Sequence, residues 1–245
     1  MTDIQTLNRP DGETLAFKRV VGTGPTVVWI GGFRSDMEGT KALALDAAAR
    51  ERGWNFVRYD HFAHGQSSGD WRQATIGRWR EDAIALIDSL EGPVIPVGSS
   101  MGGWIALLTA LARPERMKAL VLINPAQDFT ERLMWPGLAD HERQAILREG
   151  EATIVEEGLG TYVLTRTMFE EARRWLLLDA TIAIAAPVHI LQGRDDLTVP
   201  WHHQVELIER LSASDVHVDL IWGGDHRLSS ADNLRQLIEV VARNR

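Results

Sequence analysis

Short apolar runs and longer amphipathic stretches alternate along most of the chain. Leu15–Val20 and Thr26–Ile30 are two β-rich runs, and the Gly22-Thr23-Gly24-Pro25 turn between them predicts a hairpin-like start. Asp36–Arg52 is rich in alanine and leucine and reads as a helix closed by Gly53. Trp54–Tyr59 follows as a strand. Ile76, Trp79, Ala83, Ile84, Ile87 and Leu90 recur at three- and four-residue spacing, which predicts a helix with one core face, stopped by Gly92-Pro93. Val94–Val97 reads as a strand, Met101–Ala112 as a helix and Ala119–Ile123 as another strand, apolar enough to be buried on both faces.

After Asn124-Pro125 the rhythm breaks. Residues 126–186 show no strand signal and mix short helical patterns with Gly137, Gly150, Gly158 and Gly160, over a length no ordinary connection needs. The expectation is a helical lid inserted into one domain spanning 1–245. The alternation then resumes with a strand over Val188–Leu191, a helix over Pro200–Leu211, a strand over Val216–Trp222 and a helix over Ala231–Arg243. This order predicts an α/β architecture, a mostly parallel sheet of about eight strands flanked by helices.

Composition narrows the chemistry by exclusion. The absence of cysteine removes disulfides, thiolate catalysis and cysteine metal sites. A net charge of −8 with no Lys/Arg run argues against a nucleic-acid partner. The longest apolar runs, Ala119–Ile123 and Ile182–Ala186 among them, are too short to cross a bilayer, and Met1-Thr2-Asp3-Ile4 opens no secretory signal. A cytoplasmic protein is therefore expected.

The strongest local signal is Gly98-Ser99-Ser100-Met101-Gly102-Gly103, a G-x-S-x-G motif between a predicted strand and a predicted helix. Only Ser100, and not its neighbour Ser99, has glycine at both −2 and +2. A nucleophile on such a sharp turn needs small neighbours, and its hydroxyl then faces the free N–H groups of a helix start. A serine also needs a base. Of eight histidines, His226 follows the last strand and precedes the last helix, while His61, His64, His141, His189, His202, His203 and His217 read as surface or packing residues. Asp195 and Asp196 both follow the strand Val188–Leu191, where a carboxylate can orient the histidine or merely cap the next helix. For the oxyanion hole, the Met101 N–H is one expected donor. The other is the Phe33 N–H, in the Gly31-Gly32-Phe33-Arg34 loop after an early strand. No phosphate loop, dinucleotide fingerprint or metal-binding histidine spacing occurs, so no cofactor is expected.

These segments resemble the α/β-hydrolase family at large. The resemblance is carried by Gly32-Phe33, Arg58-Tyr59-Asp60, Gly65-Gln66-Ser67, the Gly98–Trp104 segment, Gly193–Trp201 and Asp225-His226-Arg227. The finer pattern of Gly39-Thr40-Lys41-Ala42, Trp79-Arg80-Glu81-Asp82 and Val199-Pro200-Trp201 is similar to a group of mitochondrial acyl-protein thioesterases that also cleave acyl glucuronides. The resemblance implies Asp196 rather than Asp195 as the acid, and Asp60 and Gly65 as structural. It implies hydrolysis of carboxylic esters or thioesters through an acyl-enzyme, with a small-molecule acyl substrate. The organelle is not carried over, because no Arg-rich amphipathic leader is seen.

The same fold also serves C–C bond hydrolases, aminopeptidases and non-catalytic ligand-binding modules. Serine at position 100 speaks against a dehalogenase, which needs an aspartate there. Within the expected lid, Leu133, Met134, Trp135, Leu138, Met168, Phe169, Trp175 and Leu176 either line an apolar acyl pocket or pack the lid onto the sheet. Trp104 is expected in the core.

Overall fold

In a computed structural model of the chain, which describes residues 3–156, 160–213 and 215–245, the apolar runs assemble into one eight-stranded sheet. The first half comprises β1 (Gln5–Asn8), β2 (Thr14–Val20), β3 (Thr23–Ile30), α1 (Thr40–Arg52), β4 (Trp54–Tyr59), α2 (Ile76–Asp88), β5 (Val94–Ser99), α3 (Met101–Ala112) and β6 (Leu120–Ile123). The excursion that follows carries a π-helical turn (Thr130–Met134), α4 (Trp135–Gly137), α5 (Asp140–Glu149), β7 (Glu151–Glu156), β8 (Gly160–Thr165), α6 (Arg166–Ala172) and the short β9 (Ile182–Ala183). The chain then returns through β10 (Val188–Gly193), α7 (His202–Arg210), β11 (Leu211–Ser212), β12 (Val216–Ile221) and α8 (Ala231–Arg243).

The strand order is β1-β2-β4-β3-β5-β6-β10-β12. Strand β2 runs antiparallel to β1 and β4, and the remaining neighbours pair in parallel. Along β3, Val28 and Ile30 pack with Trp79 and Trp104 on one face, while Val27 and Trp29 pack with Leu45 and Val241 on the other. An unbroken apolar run is what burial on both faces requires.

The hairpin-like start is not formed. Strand β3 is the most apolar of the early runs and sits between β4 and β5, so β2 pairs with β4 and with the unexpected edge strand β1, whose residues are mostly exposed. Helix α1 begins at Thr40 and not at Asp36. The Asp36 carboxylate accepts the Glu38 N–H at 2.9 Å, a local turn that competes with helix formation.

The excursion is not purely helical either. Strands β7 and β8 pair antiparallel from Glu151↔Thr165 to Glu156↔Gly160, burying Ala152, Ile154, Tyr162 and Leu164 on one face. Residues 157–159 of the expected lid lie outside the described residues. At the base of the excursion the buried Asp128 carboxylate accepts the N–H groups of Leu177 (2.9 Å) and Leu178 (2.9 Å), tying its two ends together.

Candidate active site

Ser100 lies in the turn from β5 to α3 with φ 55° and ψ −121°, a conformation that costs an L-residue free energy. Its neighbours show why glycine is required. A Cβ on Gly98 would stand 2.3 Å from the Gly102 oxygen, one on Gly102 2.1 Å from the Ile30 oxygen, and one on Gly103 2.6 Å from Pro125 Cβ. The strained turn is held from both sides. The Ser100 N–H donates to Ile123 O (2.9 Å), and the Ser100 carbonyl accepts from Gly103 (2.8 Å) and Ala126 (3.0 Å).

Three side chains from three loops form one hydrogen-bond chain. His226 Nδ1 lies 2.7 Å from Asp196 Oδ2, and His226 Nε2 lies 3.1 Å from Ser100 Oγ. A carboxylate only accepts, so Nδ1 carries the proton and Nε2 presents its lone pair to the serine hydroxyl. The other oxygen of Asp196 accepts the N–H groups of Thr198 and Val199 at 2.8 Å each, which fixes the buried carboxylate. Asp195 points outward to Arg194 at 3.2 Å.

One residue of this assembly escaped sequence reading. Asn124, fully buried at the end of β6, donates from Nδ2 to Asp225 O (3.1 Å) and His226 O (2.9 Å) and accepts the Gly193 N–H (2.7 Å). It ties the acid loop to the histidine loop. In the sequence it looks like the start of a turn before Pro125. Asn124→Ala should cost about 2–4 kcal/mol, because buried polar groups lose partners, and should lower kcat/KM more than about tenfold. Urea unfolding and ester kinetics on the variant check both; wild-type values in either would remove Asn124 from the assembly.

The loop bearing Phe33 is also held from behind. His61 Nε2 lies 3.2 Å from Gly31 O, and the Arg34 N–H donates to His64 Nε2 at 3.1 Å while His64 Nδ1 contacts Phe62 O at 3.0 Å. Both imidazoles are buried, and burial pushes His61 down to about 3 and His64 down to about 4, so both stay neutral. Of the surface and packing alternatives expected for them, both take the packing one and prop the loop. The Phe33 ring is edge-on to Trp71 (5.2 Å), Phe129 (5.9 Å) and Tyr162 (5.7 Å). A Cβ on Gly32 would lie 3.4 Å from Ser100 Cβ, so this loop runs against the turn that carries Ser100. Met101 opens α3, where the N–H has no intrahelical acceptor.

A cavity of about 830 Å³ has Ser100, His226, Phe33 and Met101 on its wall. Its wall is apolar at Phe129, Leu133, Met134, Leu138, Ile154 and Tyr162, and polar at Ser35, Asp36, Lys41, Glu142, Glu156, Thr198 and Arg227. Of the expected pocket residues, Leu133, Met134 and Leu138 line it, but Trp135, Met168 and Phe169 do not. Met168 and Phe169 are buried in the core, and Trp135 stands edge-on to Phe169 at 5.0 Å, so these three pack the excursion down. Trp175 and Leu176 border a separate hollow of about 240 Å³. Trp104 is fully buried and donates to Trp175 O at 3.1 Å. Among the described residues no His/Cys/Asp/Glu group is placed to hold a metal ion.

Against known proteins, the family model described as serine aminopeptidase, S33, matches residues 25–148. The mitochondrial palmitoyl-protein thioesterase ABHD10 of Bos taurus is 35% identical over 98% of this chain and 79% of its own length. The solved structure of mouse α/β hydrolase domain-containing protein 10 superposes with a TM-score of 0.90 at 34% identity, covering 98% of this chain and 97% of that one. A protein of Agrobacterium vitis S4 superposes at 0.92 with 37% identity, covering 100% of this chain and 98% of the other.

Proposed function

Because the chain belongs to the α/β-hydrolase family, alongside the ABHD10 thioesterases, we propose that it is a serine hydrolase that cleaves carboxylic esters or thioesters through an acyl-enzyme. The observation that carries this reading is the unbroken chain from Asp196 through His226 to Ser100, at 2.7 and 3.1 Å, opening onto the cavity.

Ser100 Oγ attacks the acyl carbonyl as His226 Nε2 takes its proton, and Asp196 stabilises the imidazolium. The Phe33 and Met101 N–H groups bind the oxyanion. His226 then protonates the leaving alcohol or thiol, and a water molecule, deprotonated by the same nitrogen, releases the acid. The acyl chain lies against the apolar wall residues, beneath the excursion acting as a lid. An aminopeptidase would need an acid for the substrate ammonium. The cavity wall carries three acids, Asp36, Glu142 and Glu156, so the peptidase reading is tested beside the ester reading.

The relatives are named as mitochondrial, so they lend no support to a cytoplasmic location. Among the described residues no helix is long and apolar enough to cross a membrane.

The test is a matched panel of p-nitrophenyl esters and acyl thioesters, acetyl to palmitoyl, with aminoacyl anilides beside them. Turnover of esters or thioesters is expected, with an optimum beyond acetyl and with an alkyl fluorophosphonate attached at Ser100. Cleavage of the anilides alone would transfer the chain to the peptidases.

A further inference from the structure

The Gly39-Thr40-Lys41-Ala42 run has no part in the chemistry described so far, yet Gly39, Thr40 and Lys41 bring the start of α1 to the cavity wall. The chain uses lysine three times among 26 basic side chains. Lys18 is paired with Glu38 at 2.7 Å and Lys118 is exposed, whereas Lys41 is partly buried and lines the cavity that holds Ser100. Its Nζ donates to the carbonyl oxygen of Arg227, the residue after His226. Arginine cannot shed its proton at these pH values, and lysine can. Burial pushes the Lys41 ammonium down to about 8, with Asp225 opposing and Arg227 adding to the effect. Near pH 8 a large fraction of this amine is therefore a free nucleophile, against well under 1% for a surface lysine.

We propose that Lys41 is an acyl acceptor, its amine attacking the carbonyl carbon of a bound acyl thioester to form an amide. The C–N bond forms and the C–S bond breaks; the electron pair leaves with sulfur, and one amine proton converts the thiolate to free thiol. No oxidant, reductant or further reactant is needed. The product carries its acyl chain inside the cavity and has lost the cation. Because an unactivated amide resists hydrolysis, each event removes one enzyme molecule from turnover. Acyl donor in excess thus becomes a slow inactivator. This step rests on the acyl-hydrolase reading above.

The experiment exposes wild type, Ser100→Ala and Lys41→Arg to the decanoyl thioester of N-acetylcysteamine at about pH 7 and about pH 8.5, followed by peptide mass mapping. Lys41 should acquire the decanoyl group at least about tenfold faster than Lys18 or Lys118, and faster at the higher pH. Ser100→Ala should accumulate more of it, because substrate is no longer drained. Wild type should lose hydrolytic rate in step with labelling, while Lys41→Arg holds its own starting rate. Hydrolysis by wild type with Lys41 labelled no faster than Lys18 and Lys118 overturns the proposal. Labelling of Lys41 without any hydrolysis by wild type would support it and overturn the serine hydrolase reading instead.

Discussion

Ser100→Ala should lower kcat on an activated ester by about 10⁴-fold or more without altering the fold. In the proposed mechanism the serine, the base and the acid act as one unit, so His226→Ala should cost nearly as much, and the double variant little beyond either single one. What survives, on the same proposal, is the contribution of the Phe33 and Met101 amides and of binding. The strained turn supplies a second, independent readout. Ser100 sits at φ 55° and ψ −121°, held by bonds to Ile123, Gly103 and Ala126. Such strain costs about 1–3 kcal/mol, and alanine inherits it whereas glycine does not. Glycine gives back about 0.5–1 kcal/mol through the freedom of its unfolded chain. Ser100→Gly should therefore be as inactive as Ser100→Ala and more stable by about 1 kcal/mol, or ~2–4 °C in Tm for a chain of this size. Residual activity above about 1% in Ser100→Ala would place the nucleophile elsewhere. Equal melting temperatures for the two variants would show that the turn stores no strain.

How far the sequence discloses such a site depends on how local the signal is. The motif around Ser100 is legible because sterics dictate it within six residues: Gly98, Gly102 and Gly103 each face a neighbour that a Cβ would strike. Strands β3, β5 and β6 are legible because burial on both faces leaves an unbroken apolar run. Strand β1 is not, since an exposed edge strand of Gln5–Asn8 has no apolar face to betray it. The β7–β8 hairpin escapes for a related reason. It buries two apolar side chains per strand, too few for alternation to stand above a helical background. Asn124, His61 and His64 act through partners between 2 and 102 positions away in sequence, and a polar residue carries no mark of a distant partner. The pocket assignments split the same way. Met134 and Met168 are equally apolar, and only the way the excursion folds back sends one to the cavity and the other to the core.

The two buried histidines should make the protein acid-labile with a defined slope. His61 is held down to about 3 and His64 to about 4, both mainly by burial, against about 6.5 in the unfolded chain. Below pH 6.5 the unfolded chain binds two protons that the native state refuses, so stability falls as pH falls. Each proton is worth about 1.4 kcal/mol per pH unit. Asp82 works in the opposite direction. Burial raises its carboxyl to about 6, so its cost is present above that value and is relieved as pH drops towards 3.8. Near pH 5 the native state thus takes up about one proton that the unfolded chain lacks, and the three groups together leave a net loss of about 1.4 kcal/mol per pH unit. Asp60 and Asp128, also raised by burial, add to the Asp82 side, and paired acids such as Asp46 add to the histidine side. A difference measurement cancels all of them. His64→Gln keeps an oxygen acceptor for the Arg34 N–H but has no proton to bind. Its stability should fall less steeply than that of wild type between about pH 6 and 4.5, the two slopes differing by about 1.4 kcal/mol per pH unit. Urea unfolding at four or five pH values in that window reads the difference directly. Parallel slopes would mean that His64 takes up its proton in the folded state, and that the loop carrying Phe33 is not held by a neutral imidazole.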